Sequence, residues 1–225
     1  MASTFGNTST LYVAPITITD TTILRARAYR DDCLPSLMDA QSYLFDVKNG
    51  GGTVYVASMV SDPYNLTSDE AGILVKGPNA TSKYPYGMPG KGANFWMDWE
   101  REAHIEVFRP DGDALLSQEC GIMLHGTHSR AADQKPFKVI ARTRYGSNRF
   151  NAALFSRRNY EEYQSFVLRT GSQDAGRTRM RDAVLQQLAV GTGLMYQEYE
   201  IVVLYLNGQY WGQYNLRERV NPESI

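Results

Sequence analysis

Ser165-Phe166-Val167-Leu168-Arg169 opens a stretch, running on to Val220, whose reading decides the fold. This short run of aromatic, β-branched and aliphatic residues is bounded by polar ones and by Gly171, and it reads as a strand. Thr170 to Arg177 carries Gly, Ser, Asp and Gln, which is loop chemistry. From Thr178 the period changes. Met180, Val184, Leu185 and Leu188 recur at helical spacing, while Arg177, Arg181, Asp182 and Gln186 fall largely elsewhere on the wheel. The spacing predicts one principal helix, stopped by Gly191 and Gly193. Ile201 to Leu206 is a nearly unbroken apolar run, as a central strand covered on both faces would be. Asn207-Gly208 predicts a tight hairpin, because both turn positions need positive φ. Tyr210 to Leu216 is then the return strand, and Arg217-Glu218-Arg219 a charged exit.

A β-α-β-β order with a basic residue ending the first strand invites comparison with the small lobe of protein kinases, where a strand-borne cation pairs with a helix-borne carboxylate. The order-matched residues are Arg169 and Asp182. Charged residues on such a helix also fit a solvated face. The residues themselves say more. Phe166-Val167-Leu168-Arg169, Arg177-Thr178-Arg179-Met180-Arg181-Asp182, Leu206-Asn207-Gly208-Gln209-Tyr210-Trp211-Gly212 and Tyr214-Asn215-Leu216-Arg217-Glu218-Arg219 resemble the spore-coat protein H (CotH) kinase family. Upstream, Gly121 to Arg130 and Gln134-Lys135-Pro136-Phe137-Lys138 resemble that family's earlier block. The resemblance covers roughly residues 53 to 225.

The 225 residues include 43% hydrophobic and 12% aromatic side chains, enough for packed cores. A net charge of −1 leaves no basic footprint for nucleic acid and no polybasic membrane patch. No window is apolar enough to span a bilayer. Cys33 and Cys120 lie far apart in sequence and read as two unpaired thiols. Met1-Ala2-Ser3-Thr4 lacks both the basic start and the apolar core of a signal peptide, which fits either a cytoplasmic protein or an internal piece of a longer one, and the second is the expectation.

In chain order, residues 1 to 46 alternate in strand fashion with turns between, and about three strands are expected across Leu11 to Ile18, Ile23 to Tyr29 and Ser42 to Phe45. Ser9 to Tyr12, Pro15-Ile16, Thr22 to Ala28 and Pro35-Ser36 resemble the chitobiase C-terminal or fibronectin-III-associated β-module, a spacer or sugar-binding accessory of secreted proteins. Residues 1–48 are therefore expected to be a partial β-sandwich, joined by Lys48 to Thr53 to a second unit at 53–225. Gly77 to Gly92 reads as a long loop. Beside it, Phe95, Trp96 and Trp99, with Tyr84 and Tyr86, suit either stacking on a sugar ring or a base or plugging the core. Asn7, Asn65 and Asn79 sit in Asn-x-Ser/Thr triplets. Strands are expected at 54–60, 102–108, 121–125, 137–142 and 149–152.

Gly126-Thr127-His128-Ser129 between two strands reads either as a polar connection or as a phosphate cradle flanked by Arg130, Lys135 and Lys138. His125-x-x-His128 straddles a strand end rather than a helix face, which argues against metal ligation, and no nucleophile-elbow motif is present. The expected architecture is α+β, β-rich: a partial β-sandwich, then a mainly antiparallel sheet with one principal helix, like a kinase small lobe. By resemblance the parent is a bacterial secreted or surface-attached atypical protein kinase that uses ATP and Mg²⁺ to phosphorylate Ser or Thr of a partner protein. The residues expected to face nucleotide are Ser129, Arg130, Lys135, Lys138, Arg169, Asp182 and Glu218, with Asp182 orienting the cation and Glu218 near the base or ribose. In this family the acceptor-orienting carboxylate and the Mg²⁺ ligands come from later residues, so this chain alone is expected to be inactive. The competing expectation is a non-enzymatic surface or carbohydrate-binding protein.

Overall fold

Strand alternation, rather than a helical layer, supplies the core of this chain. The computed structural model describes residues 10–36, 38–81 and 90–219. Tyr84, Tyr86, Asn7 and the residues after Arg219 lie outside the described residues. Among the described residues eleven strands run in order: β1 (Thr22–Ala26), β2 (Asp39–Tyr43), β3 (Tyr55–Val60), β4 (Arg101–Phe108), β5 (Ala114–Leu124), β6 (Phe137–Ile140), β7 (Phe150–Asn151), β8 (Glu162–Tyr163), β9 (Ser165–Arg169), β10 (Tyr199–Leu206) and β11 (Gln209–Glu218). Seven of them close a barrel in the order β10-β11-β9-β6-β5-β4-β3, with β3 returning to β10. Every ladder around it is antiparallel except the β3–β10 seam, where Tyr55 to Met59 run parallel to Val202 to Leu206.

Period-2 alternation fills the interior. Ala57 and Met59, then Ala103, Ile105 and Val107, then Cys120, Ile122 and Leu124 belong to one continuous core. Phe137 and Val139, Phe166 and Leu168, Val202, Leu204 and Leu206, and Tyr214 and Leu216 complete it. The β7–β8 ribbon covers one end of this interior, with the Phe150 ring 5.1 Å from Phe166 and both rings fully buried.

This architecture overturns the α+β, kinase small-lobe-like expectation. Among the described residues there are two short α-helices, α1 (Pro63–Thr67) and α2 (Arg181–Gln187), and neither carries the core. A sheet closed on itself buries its own apolar faces and needs no helix to cover them. The predicted apolar helix face also points the wrong way. Val184, Leu185 and Leu188 are exposed, whereas Ala183 is buried and Asp182, Gln186 and Gln187 turn inward. The cause lies beneath the helix. The outer face of β9 and β11 presents Arg169, Asn215 and Arg217, and the adjoining Gln197 and Glu198 offer further polar groups, so the complementary helix face is polar. Gln186 Oε1 accepts from the Gln197 backbone at 2.7 Å, and Gln187 Nε2 donates to Glu198 at 3.0 Å.

At the N-terminal side, β1 and β2 form one hairpin. Leu11 to Val13 and Ile16 to Ile18 form no strand. The hairpin is tied to the outer face of β3 and β4: Ser42 N and Gln41 Nε2 donate to the Glu106 carboxylate at 2.7 and 2.6 Å, and the Ser42 and Ser58 hydroxyls meet at 2.7 Å. Burial pushes the Glu106 carboxyl up from its ordinary value, and the Ser42 hydrogen bonds and His104 act against that.

Candidate functional site on the outer barrel face

The register of three adjacent strands brings the cations together. Lys138 on β6 lies opposite Val167 on β9, and Val167 lies opposite Arg217 on β11. These three side chains therefore form one outward row, with direct cross-strand neighbours about 5 Å apart. Arg169 shares the face one pleat farther along β9, opposite Asn215. Asp182, near the start of α2, sits over the row. Its Oδ2 accepts from Arg217 Nη2 and lies 3.6 Å from Arg169 Nε. One carboxylate thus serves two guanidinium groups.

Burial makes the arrangement consequential. Arg217 is 2% exposed, yet its Nε and Nη1 find no hydrogen-bond partner, and Arg169 Nε finds none either. Opposite Arg169, Asn215 donates from Nδ2 to the Arg179 carbonyl at 2.8 Å and leaves Oδ1 without a donor. Burial draws the Arg217 guanidinium below its ordinary value, Asp182 acts against this, and Arg169 adds to it. Arginine keeps its charge through such a shift.

The cationic character extends sideways. Burial lowers the Lys138 ammonium, and Arg219 and Arg142 lower it further. His125, at the end of β5, is lowered by burial and then by Arg169, Arg219, Arg130 and Lys138. Glu100 borders the face but is fully engaged. It receives Arg142 at 2.6 Å, also pairs with Arg144, and accepts from Tyr145 Oη at 3.3 Å, so its carboxyl is held below the ordinary range despite burial.

The remaining residues expected from sequence fall into two other places. Lys135 is buried, donating from Nζ to the Ala132 carbonyl at 2.6 Å and lying 4.9 Å from the centre of the Phe95 ring. Ser129 and Arg130 belong to a 3₁₀ turn, His128–Ala131. Two of its N–H groups are taken within the turn itself, Arg130 N by Thr127 O and Ala132 N by Ser129 O. Arg130 pairs with Asp98 at 2.9 Å. Glu218 is 2% exposed and points away from the cationic row, among Arg158, the Tyr160 hydroxyl and the Glu198 N–H at 2.9 Å. Trp96 and Trp99 pack against the barrel core.

Sequence reasoning did not single out Arg217. Parity was the available signal: Tyr214 and Leu216 point inward, so Arg217 must point outward on the face that carries Arg169. The donor set suits a polyanion, since its orphaned guanidinium nitrogens ask for acceptors. A metal set is not assembled, for no group of three or more His, Cys, Asp or Glu side chains converges among the described residues. No helix among them is long and apolar enough to cross a membrane.

Residues 122–225 match the family model described as CotH kinase protein. Lys138, Arg169, Asp182 and Arg217 all lie within that match. No curated protein matches the chain.

Proposed function

We propose that this chain is the nucleotide-facing part of a CotH-like atypical protein kinase, with the phosphates of ATP received on the outer face of β6, β9 and β11. The observation that carries the reading is the pairing of the strand-borne Arg169 and Arg217 with the helix-borne Asp182, beside Lys138, inside the matched region. Lys138 and Arg169 supply positive charge to the phosphate chain, Arg130 and His125 flank it, and Asp182 ties α2 to these cations. Bound ATP would supply the transferable phosphoryl group, and Mg²⁺ would neutralise part of its charge. The acceptor is a Ser or Thr of a partner protein, and the parent a secreted or surface protein of a bacterium, with the β1–β2 hairpin as part of a spacer. Transfer also needs a carboxylate to orient the acceptor hydroxyl and ligands for the metal. The resemblance places those groups in later residues of the family, so the role proposed for the residues described here is nucleotide binding.

Calorimetric titration with Mg·ATP tests the reading. Lys138→Met and Arg169→Met should each weaken binding by roughly tenfold, as the loss of a charge-assisted contact implies. Lys135→Met should leave affinity unchanged, because that ammonium is engaged with Ala132. Saturable binding absent from the wild-type chain, or indifferent to both Lys138 and Arg169, would remove the nucleotide assignment.

A further inference from the structure

We infer that Arg217 is a phosphate ligand held under Asp182, and that an incoming phosphate oxygen takes the place of the Asp182 carboxylate on it. The inference rests on the reading above in one respect, that the anion is a phosphate chain.

Three observations lead to it. First, Arg217 is almost wholly buried with one hydrogen-bonded nitrogen, which donates to Asp182, and two nitrogens without partners. A buried guanidinium in this condition is expensive, and bidentate pairing with a tetrahedral oxyanion would satisfy it better than one carboxylate oxygen does. Second, the charges do not balance. Arg217, Arg169 and Lys138 bring three positive charges to the row, and Asp182 returns one negative charge. Third, Asp182 is the exposed member of the pair: its side chain is 40% exposed against 2% for Arg217. It lies on the solvent side of Arg217 and can turn to water as a phosphate oxygen replaces it, while Arg217 is fixed in β11.

The exchange makes no bond and needs no redox partner; it replaces one anionic acceptor by another on the same donor. It also reverses the expected role of Asp182. A carboxylate that only orients cations strengthens phosphate binding, whereas one that occupies the cation's donor competes with it.

The sign of the Asp182→Asn effect separates these roles. The probe is inorganic tripolyphosphate, titrated calorimetrically into the full chain beside Mg·ATP, with circular dichroism to establish that each variant is folded. Asp182→Asn should tighten tripolyphosphate binding roughly tenfold, and adding Arg217→Lys, which keeps the charge and loses the planar donor fork, should abolish the gain. Unchanged or weaker binding by folded Asp182→Asn overturns the inference, as does a gain that survives Arg217→Lys. If tripolyphosphate binds neither wild type nor Asp182→Asn, the inference also falls. Mg·ATP binding that depends on Lys138 and Arg169 but ignores Asp182 and Arg217 leaves the nucleotide reading standing and removes this one. Tripolyphosphate showing the expected pattern, with no added affinity from adenosine, supports the exchange and removes the nucleotide.

Discussion

Glu218 shows how one buried carboxylate organises its surroundings. It accepts from Arg158 Nε at 3.0 Å, from the Tyr160 hydroxyl and from the Glu198 backbone N–H, so two distant chain segments converge on it. Replacing it by Gln leaves Arg158 with a neutral partner in a largely dry site. We expect Glu218→Gln to destabilise the protein by roughly 3 kcal/mol, read as a fall in Tm. Tyr160 carries a pH signature of the same knot. Burial, and then the hydrogen bond to Glu218, push its hydroxyl from 10.0 to about 12. The folded protein therefore holds a proton that the unfolded chain releases sooner, and stability from this source falls as pH rises from 10 towards 12. Tyr160→Phe should flatten that slope in alkaline denaturation curves; an unchanged slope would mean that the hydroxyl is not coupled to Glu218. From the sequence Glu218 is expected near a nucleotide's base or ribose, whereas the structure buries it in this knot. Its partners, Arg158 and Tyr160, come from an irregular segment whose path no local pattern announces. Lys138 and Arg169, by contrast, fall on strands that were legible from composition, so their meeting on one face followed from parity once the register was known.

The turn between β10 and β11 was the most legible element, and the structure gives it a second task. Asn207 adopts φ +50° and Gly208 φ +79°, as the hairpin requires. Asn207 also donates its backbone N–H to Met59 O at 2.9 Å, and its Oδ1 accepts from Ser61 N at 2.9 Å, so the turn fastens the parallel seam. Asn207→Gly keeps the conformation and loses the side-chain bond, at about 1 kcal/mol; Asn207→Ala adds backbone strain and should cost roughly twice that in chemical denaturation. Equal losses would show that conformation is unimportant at this position. The α2 helix was legible as an element and illegible in orientation. Periodicity reports that a helix is two-faced, but not which face a neighbour wants, and here the neighbour is a polar strand surface. Leu185 and Leu188 are 59% and 70% exposed. Leu185→Gln and Leu188→Gln should therefore each change stability by less than about 0.5 kcal/mol, where a buried Leu would lose several times more.

At the scale of the whole molecule, closure of the sheet was the part the sequence concealed. Most strands show one apolar face, which an open sheet under a helix layer would show as well. What distinguishes a barrel is the contact between its first and last strands, and no short-range pattern encodes that Val56 lies beside Val203. The interior offers a probe of closure. Cys120 points inward and is fully buried, and burial raises its thiol well above its ordinary value, whereas Cys33 is exposed. Thiol alkylation followed by mass spectrometry should label Cys33 at once and Cys120 only at the rate at which the barrel opens. Rapid labelling of both under native conditions would contradict a closed barrel. The seam matters before the molecule is complete. A ribosome delivers Tyr55-Val56-Ala57-Ser58-Met59-Val60 long before it delivers Val202 to Leu206. Throughout that interval β3 has an unpaired edge on an uncharged, proline-free, β-prone segment, the composition from which intermolecular strands grow. The closed ring that leaves the finished barrel without an open edge therefore makes its nascent chain depend on the speed of translation and on whatever shields β3 until its partner arrives.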